Sequence, residues 1–273
     1  VDEDFELVNG ETGPTQQQPR AVRAPSRITS ALNLGGGVVM GLVRVPPGEF
    51  LMGSPGAEAG RSVSEHLHPV KISDSFYIGE TPVTQVQYRQ VMSNNPSLFQ
   101  GAALPVERVS WDLANTFCRK LAQLTGRDIR LPTEAQWEYA CRAGCRERFN
   151  LGAGEEDLQR AGWYKTNSGM KTHIVGRKEP NAFGLFDLHG NVLEWCQDWY
   201  QDSYYQSSPA NDPPGPSSGK YRVLRGGSFM DDRVDCRCAM RGKGFPGYWV
   251  GGFGFRVVAM LPQRTSSALF TKA

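Results

Sequence analysis

The sequence predicts a loop-rich α+β domain, and three observations carry the prediction. Capped, amphipathic helical segments occur only between Thr84 and Gly144. Short strand-like runs precede them and close the chain. After residue 145, Gly, Asn, Asp, Pro and aromatic residues take over and long periodic runs vanish, as in loops stitched by short strands. The chain has 273 residues and is 39% hydrophobic, enough for one sizeable core or two small domains.

The elements follow in order. Residues 1–35 are acidic and then rich in Gln, Pro and Arg, with few apolar anchors, so a flexible arm or linker is expected there. The folded domain is expected over 36–262, with 263–273 a polar tail. VVMGLVRV and PPGEFLMGS read as two strands around a turn, and HPVKISDSFYIGE continues with strand-like alternation. Thr84 with Gln87, and Thr133 with Gln136, have the spacing of a capping box. Ser110 caps a helix between them, in which Ala114, Phe117, Cys118, Leu121 and Leu124 follow the helical period. Gly144 is the expected terminator of the third helix. KYRVLRGGSF and GFGFRVVAML are the clearest late strands.

Composition excludes some function classes. A net charge of +2 gives no field for nucleic acid or an acidic membrane, and no apolar run reaches spanning length. Six cysteines do not make the framework of a small disulfide-stapled domain. Free thiols in a reducing compartment are expected, and with no secretory leader visible at Val1 the expected location is cytoplasmic. A start without Met fits a piece of a larger polypeptide.

Seven phrases occur in fixed order: PPGEFLMGS (46–54), ETPVTQVQY (80–88), PVERVSWDLANTFCRKL (105–121), RLPTEAQWEYACRAG (130–144), NAFGLFDLHGNVLEWCQDWY (181–200), RVLRGGSF (222–229) and GFGFRVV (252–258). Together they resemble the formylglycine-generating enzyme, or sulfatase-modifying factor, family. The resemblance implies a C-type lectin-like fold with a ligand face built from C-terminal loops. The family holds copper oxidases that convert cysteine to formylglycine, iron enzymes that join sulfur to histidine derivatives, and binding proteins that include the variable proteins of diversity-generating retroelements. Fold alone does not choose among them.

The oxidases grip Cu(I) with two thiolates five positions apart after the RGGSF motif. Asp231 stands at the first of these places, and Cys236 lies in a shortened segment. A carboxylate is a hard ligand, poorly suited to Cu(I), so no redox metal is expected. Cys236 and Cys238, two apart in an extended segment, would share a face. Two readings stand: small buried thiols, or a linear two-thiolate metal site supporting an oxidase with altered ligands. His66, His68, His173 and His189 lack the helical context of the iron enzymes, and His189 reads as structural. GKGFPG (242–247) fits a Gly-rich phosphate loop only by chance, since Pro246 interrupts it and no helix follows. The resemblance also implies a structural calcium (Ca2+) site in the FDLHGNVLEW turn, with Asp187, Glu194 and the carbonyls of Gly190 and Val192 as oxygen donors. The other reading is that Asp187 stabilises the turn and Glu194 pairs with an arginine. Trp111, Trp137, Trp195, Trp199, Arg225, Arg241 and Arg256 read as scaffold.

The filling between these fixed phrases has neither helical nor strand periodicity. It supplies Met230, Asp231, Asp232, Val234, Asp235, Met240, Lys243, Phe245, Tyr248 and Trp249. Tyr and Trp among adaptable polar neighbours are what recognition surfaces use. The expected function is therefore a non-catalytic binding domain whose partner is a protein or other macromolecule. Two orientations stay open for Trp249, inward packing or display. The spacing around CRCAMR resembles the retroelement-diversified branch. Adenine-directed mutagenesis of Asn codons does not yield Lys, Met or Trp, so Met230, Lys243 and Trp249 need other template codons, or the chain is not diversified.

Overall fold

A computed structural model describes residues 29–260. Residues 1–28 of the arm expected over 1–35, and the tail expected over 263–273, lie outside the described residues. Strand β1 (Thr29–Asn33) leads through a Gly35–Gly37 turn to β2 (Val39–Val45), β3 (Gly48–Met52), β4 (His68–Ile72) and β5 (Phe76–Gly79). Helices α1 (Gln85–Met92), α2 (Trp111–Thr125) and α3 (Glu134–Arg142) follow, with the two-residue β6 (Ile129–Arg130) before α3. The later half holds α4 (Glu155–Ala161), β7 (Leu193–Trp199), β8 (Arg222–Arg225), β9 (Gly242–Gly244), β10 (Phe253–Gly254) and β11 (Val258–Met260). This is the expected α+β class. One boundary is corrected: β1 lies within the stretch assigned to the arm. Its alternation was the available signal, since Leu32 and Leu34 are buried while Ala31 and Asn33 are exposed.

The helices begin where the sequence placed them. Thr84 Oγ1 accepts from the Gln87 N–H at 3.4 Å, and Gln87 Oε1 returns a bond from the Thr84 N–H at 2.9 Å. Thr133 and Gln136 repeat the exchange at 3.1 Å each way, and Ser110 Oγ accepts from the Leu113 N–H at 3.2 Å. The end of α3 differs by one residue. Ala143 takes the left-handed cap at φ 46°, and Gly144 continues at φ 90°.

A five-stranded antiparallel sheet, order β1-β2-β5-β11-β6, joins the two ends of the domain through β5. Consecutive residues send side chains to opposite faces. On β2, Leu42 joins a core with Tyr88 of α1 and Phe117 and Leu121 of α2; Val43 joins a second core with Trp137 and Ala140 of α3. Ala259 and Val258 on β11 divide the same way. The sheet therefore lies between α1–α2 and α3. A second sheet, order β10-β7-β8-β9, carries the C-terminal loops, and β3–β4 forms a separate ribbon. Burying Phe117 and Phe255 at 5.2 Å between ring centroids is the kind of contact that offsets loop ordering, since a fully buried large side chain contributes roughly 1.5–3 kcal/mol.

The later half has little ladder bonding, so its carbonyls need other donors. Buried arginines supply them. Arg225, fully buried on β8, pairs with Glu138 of α3 and donates to the carbonyls of Cys238 at 2.8 Å, Ala239 at 3.0 Å and Met240 at 2.5 Å. Arg142 binds Glu138 at 2.8 Å and the Gly53 carbonyl at 2.8 Å. Arg241 makes a forked pair with Glu134, 2.8 and 3.0 Å, and donates to the Ser64 carbonyl at 2.9 Å. Two carboxylates one helical turn apart on α3 thus collect three guanidinium groups, each also serving backbone carbonyls. Arg222 lies between Trp111 and Trp199, 3.8 and 3.5 Å from their ring centroids. Arg225, Arg241, Trp111 and Trp199 are scaffold, as the sequence suggested, and Arg142 and Arg222 join them.

Arg225→Met is expected to cost about 3–5 kcal/mol, because it leaves Glu138 short of a partner and three carbonyls without donors. Urea unfolding checks this, and an unchanged midpoint would contradict it.

Candidate functional site

The face begins at the turn after β8. Gly226 and Gly227 adopt φ 97° and 72°, and a side chain at Gly227 would meet Cys236 Sγ at 2.6 Å. Only glycine tolerates both the left-handed backbone and that approach. The turn sets Ser228 Oγ against Asp231 Oδ2 at 2.6 Å and buries Phe229 edge-on against Phe99. Met230 is left half-exposed beside Gly251 and Gly252.

The ten residues expected to form the face are anchored on different parts of the scaffold. Asp231, Asp232, Val234 and Asp235 belong to the turn and the 3₁₀ segment Arg233–Cys236. Lys165 holds that turn twice, donating its N–H to the Asp231 carbonyl at 3.0 Å and pairing with Asp232 at 3.0 Å. Val234 is part-exposed and packs on Gly60 of the 55–61 loop. Burial and the neighbouring Asp231 and Asp232 push the Asp235 carboxyl up. Met240 is half-buried, with its carbonyl taken by Arg225. Lys243 sits on β9 opposite Val223, its Nζ 4.7 Å from the Tyr200 ring centroid.

Phe245, Tyr248 and Trp249 share the loop between β9 and β10. They are 46%, 57% and 54% exposed, so Trp249 is displayed and the inward reading is excluded. The loop is fixed at its base. The Tyr248 N–H donates to the Phe245 carbonyl at 3.0 Å, and the Asp112 N–H of α2 to the Pro246 carbonyl at 3.3 Å. Phe245 leans on Tyr221 at 4.6 Å with Lys220 nearby, and the Arg108 guanidinium lies 5.7 Å from the Trp249 ring. Arg108, Lys220 and Tyr221 were missed in the sequence. Arg108 sits at φ 60°, a backbone position no side-chain pattern signals.

The cysteine geometry is corrected. Because 233–236 is a 3₁₀ turn, Cys236 and Cys238 do not share a face. Cys236 packs with Phe149, Leu158 and Tyr164, whereas Cys238 lies in the α3 core. Burial and the nearby aspartates raise the Cys236 thiol well above its ordinary range. It is neither exposed nor a thiolate. Cys238 instead meets Cys141 and His189, a grouping invisible in sequence because its members are 48 and 97 positions apart.

In the FDLHGNVLEW turn, Glu194 accepts from Arg256 Nε and Nη2 at 2.6 and 2.7 Å and from Trp137 Nε1 at 2.7 Å. The arginine-pairing reading therefore holds for Glu194, and one of its four lone-pair positions stays open. Asp187, at φ 56°, accepts from the Gly176 N–H at 2.7 Å and from the Asn191 amide at 3.3 Å. It is buried without a contacting cation among the described residues, and burial pushes its carboxyl up to about 6. Arg256 and Lys178 act on it only at longer range, and in the same turn the Gly190 carbonyl accepts the Val192 N–H at 2.8 Å. His173 stacks on Trp163 at 3.8 Å, and His68 packs on Tyr205 at 4.7 Å.

Comparison with known proteins agrees with these motifs. The profile of the sulfatase-modifying factor enzyme 1-like domain matches residues 37–261. The formylglycine-generating enzyme of Streptomyces coelicolor is 38% identical over 169 residues, covering 56% of this chain and 51% of that protein. The serine/threonine-protein kinase pkn1 of Chlamydia pneumoniae is 34% identical over 244 residues, covering 79% of this chain and 37% of the kinase. The chain thus spans about half or less of these relatives. The solved structure of Treponema denticola variable protein 1 superposes with a TM-score of 0.80 at 31% identity, covering 86% of this chain and all of that one. From Gly37 to residue 261, the chain belongs to the sulfatase-modifying factor enzyme 1-like family and has its C-type lectin-like α+β fold.

Proposed function

We propose that this domain is a non-catalytic binding module whose face centres on the loop carrying Phe245, Tyr248 and Trp249. One observation carries the reading: three large aromatic side chains stand about half exposed on a loop tied to α2 through the Pro246 carbonyl. Rigid aromatics lose little conformational freedom on binding and dominate interface energies. Lys220, Lys243 and Arg108 lie beside these rings or their aromatic neighbours, so the face suits a macromolecule with apolar and acidic groups. The likeness to a variable protein supports the same reading, and with it a retroelement-diversified surface. The alternative, an oxidase with altered ligands, needs a reachable thiolate pair. The position matched to the first thiol holds Asp231, and Cys236 is buried as a thiol. The likeness to a longer kinase supports a place within a larger polypeptide.

The FDLHGNVLEW turn is proposed as a structural calcium site. Asp187 would supply the ionised oxygen, joined by the Gly190 and Val192 carbonyls and the open position on Glu194.

Peptides selected against the domain from a displayed random library test the face. Tyr248→Ala and Trp249→Ala should each cost at least about 2 kcal/mol, roughly 30-fold in affinity, with the melting temperature unchanged. Full affinity in both variants, or oxygen consumption with a cysteine peptide, would overturn the reading. For the calcium site, Ca²⁺ at about a hundred times its Kd should add roughly 2.7 kcal/mol of stability, and Asp187→Asn should abolish the gain. Melting curves identical in Ca²⁺ and in chelator would leave the turn to its hydrogen bonds alone.

A further inference from the structure

A second set of ligand-bearing side chains lies away from the loop face, in the core beneath α3. Cys141 Sγ is 3.8 Å from Cys238 Sγ and 3.8 Å from His189 Nε2; Cys238 Sγ is 4.0 Å from the same nitrogen. We propose that Cys141, Cys238 and His189 form a buried three-coordinate site for a soft monovalent cation, Cu(I).

The triangle sets the scale. A point equidistant from its three corners lies about 2.2 Å from each, within the range of metal–sulfur and metal–imidazole bonds. The histidine is already oriented as a ligand. Its Nδ1–H donates to the Cys236 carbonyl at 2.7 Å, which leaves the lone pair on Nε2, the usual outer support of a metal-bound imidazole. The Asn150 N–H, 3.0 Å away, shares that lone pair, and metal binding would displace this hydrogen bond. The two thiols stand on rigid supports. Cys141 is in the last turn of α3. Cys238 donates its N–H to the Arg148 carbonyl at 2.8 Å and offers its carbonyl to Arg225.

Chemistry selects the ion. Thiolates are soft ligands that favour Cu(I) and Zn²⁺, and structural Zn²⁺ takes four donors, whereas this group offers three. Both cysteines ligate as thiolates, so binding sends the thiol protons to solvent and changes no oxidation state. The two thiolates and one cation leave one negative charge, beside the Arg142 guanidinium. All three side chains are fully buried, so no peptide can reach the ion. The site would clamp α3 to the segment after the 3₁₀ turn, and it would not turn over substrate.

The test uses the whole chain, reduced and anaerobic, titrated with Cu(I) held by a chromophoric chelator. One equivalent should transfer, and X-ray absorption on the loaded wild-type protein should show two sulfurs and one nitrogen at about 2.2 Å. Cys141→Ser and Cys238→Ser should lose the bound copper, while Cys236→Ser and Cys145→Ser keep it. Should the first two variants fail to fold, the wild-type absorption spectrum decides alone. Four outcomes would overturn the proposal: no transfer to the folded reduced chain, a different ligand count, preference for Zn²⁺ over Cu(I), or a Cys141–Cys238 disulfide whose reduction restores no uptake.

Discussion

The structure depends on two carboxylates of one short helix. Glu134 and Glu138 project from α3 into the buried interior, where an unpaired charge would cost several kcal/mol. Arg142, Arg225 and Arg241 answer them, and each guanidinium also donates to backbone carbonyls outside the ladders. A guanidinium has five donors in a fixed fork, so it satisfies a carboxylate and several carbonyls at once, which lysine cannot do. The charges are retained because each one organises backbone, even where the net gain of an isolated buried pair is small.

That arrangement explains how a chain so poor in regular structure displays a rigid surface. The carbonyls of residues 238–240 hang on Arg225, Arg241 fixes the entry to β9, and α2 grips Pro246. Between these anchors, Phe245 to Trp249 contribute little to the core, so their side chains can vary without unfolding the frame. Frame and face are separable because different residues serve each.

Much of this was legible in the sequence. Capping boxes are local chemistry, so Thr84–Gln87 and Thr133–Gln136 marked two helix starts without tertiary information. The strands β2, β3 and β5 were legible because their alternation is local too. β7 and α4 were not read: β7 is buried along most of its length and shows little alternation, and α4 is a short polar helix begun by Gly154, whose cap has no side chain. Phe245, Tyr248 and Trp249 stood out because the filling that carries them follows neither helical nor strand period, and the orientation of Trp249 was settled only by the fold. The contact of Val234 with Gly60 was not legible because the two are far apart along the chain. The Cys236–Cys238 geometry failed for one reason: an extended segment was assumed where a 3₁₀ turn forms, and that turn sends the two thiols into different cores.

Replacing residues 245–249 as a block with a glycine–serine pentapeptide, then measuring thermal melting and peptide binding on the same preparation, tests the separation of frame and face most directly. The account predicts an unchanged melting temperature and cooperativity, with binding abolished. Loss of cooperative unfolding, or binding at full strength, would contradict it.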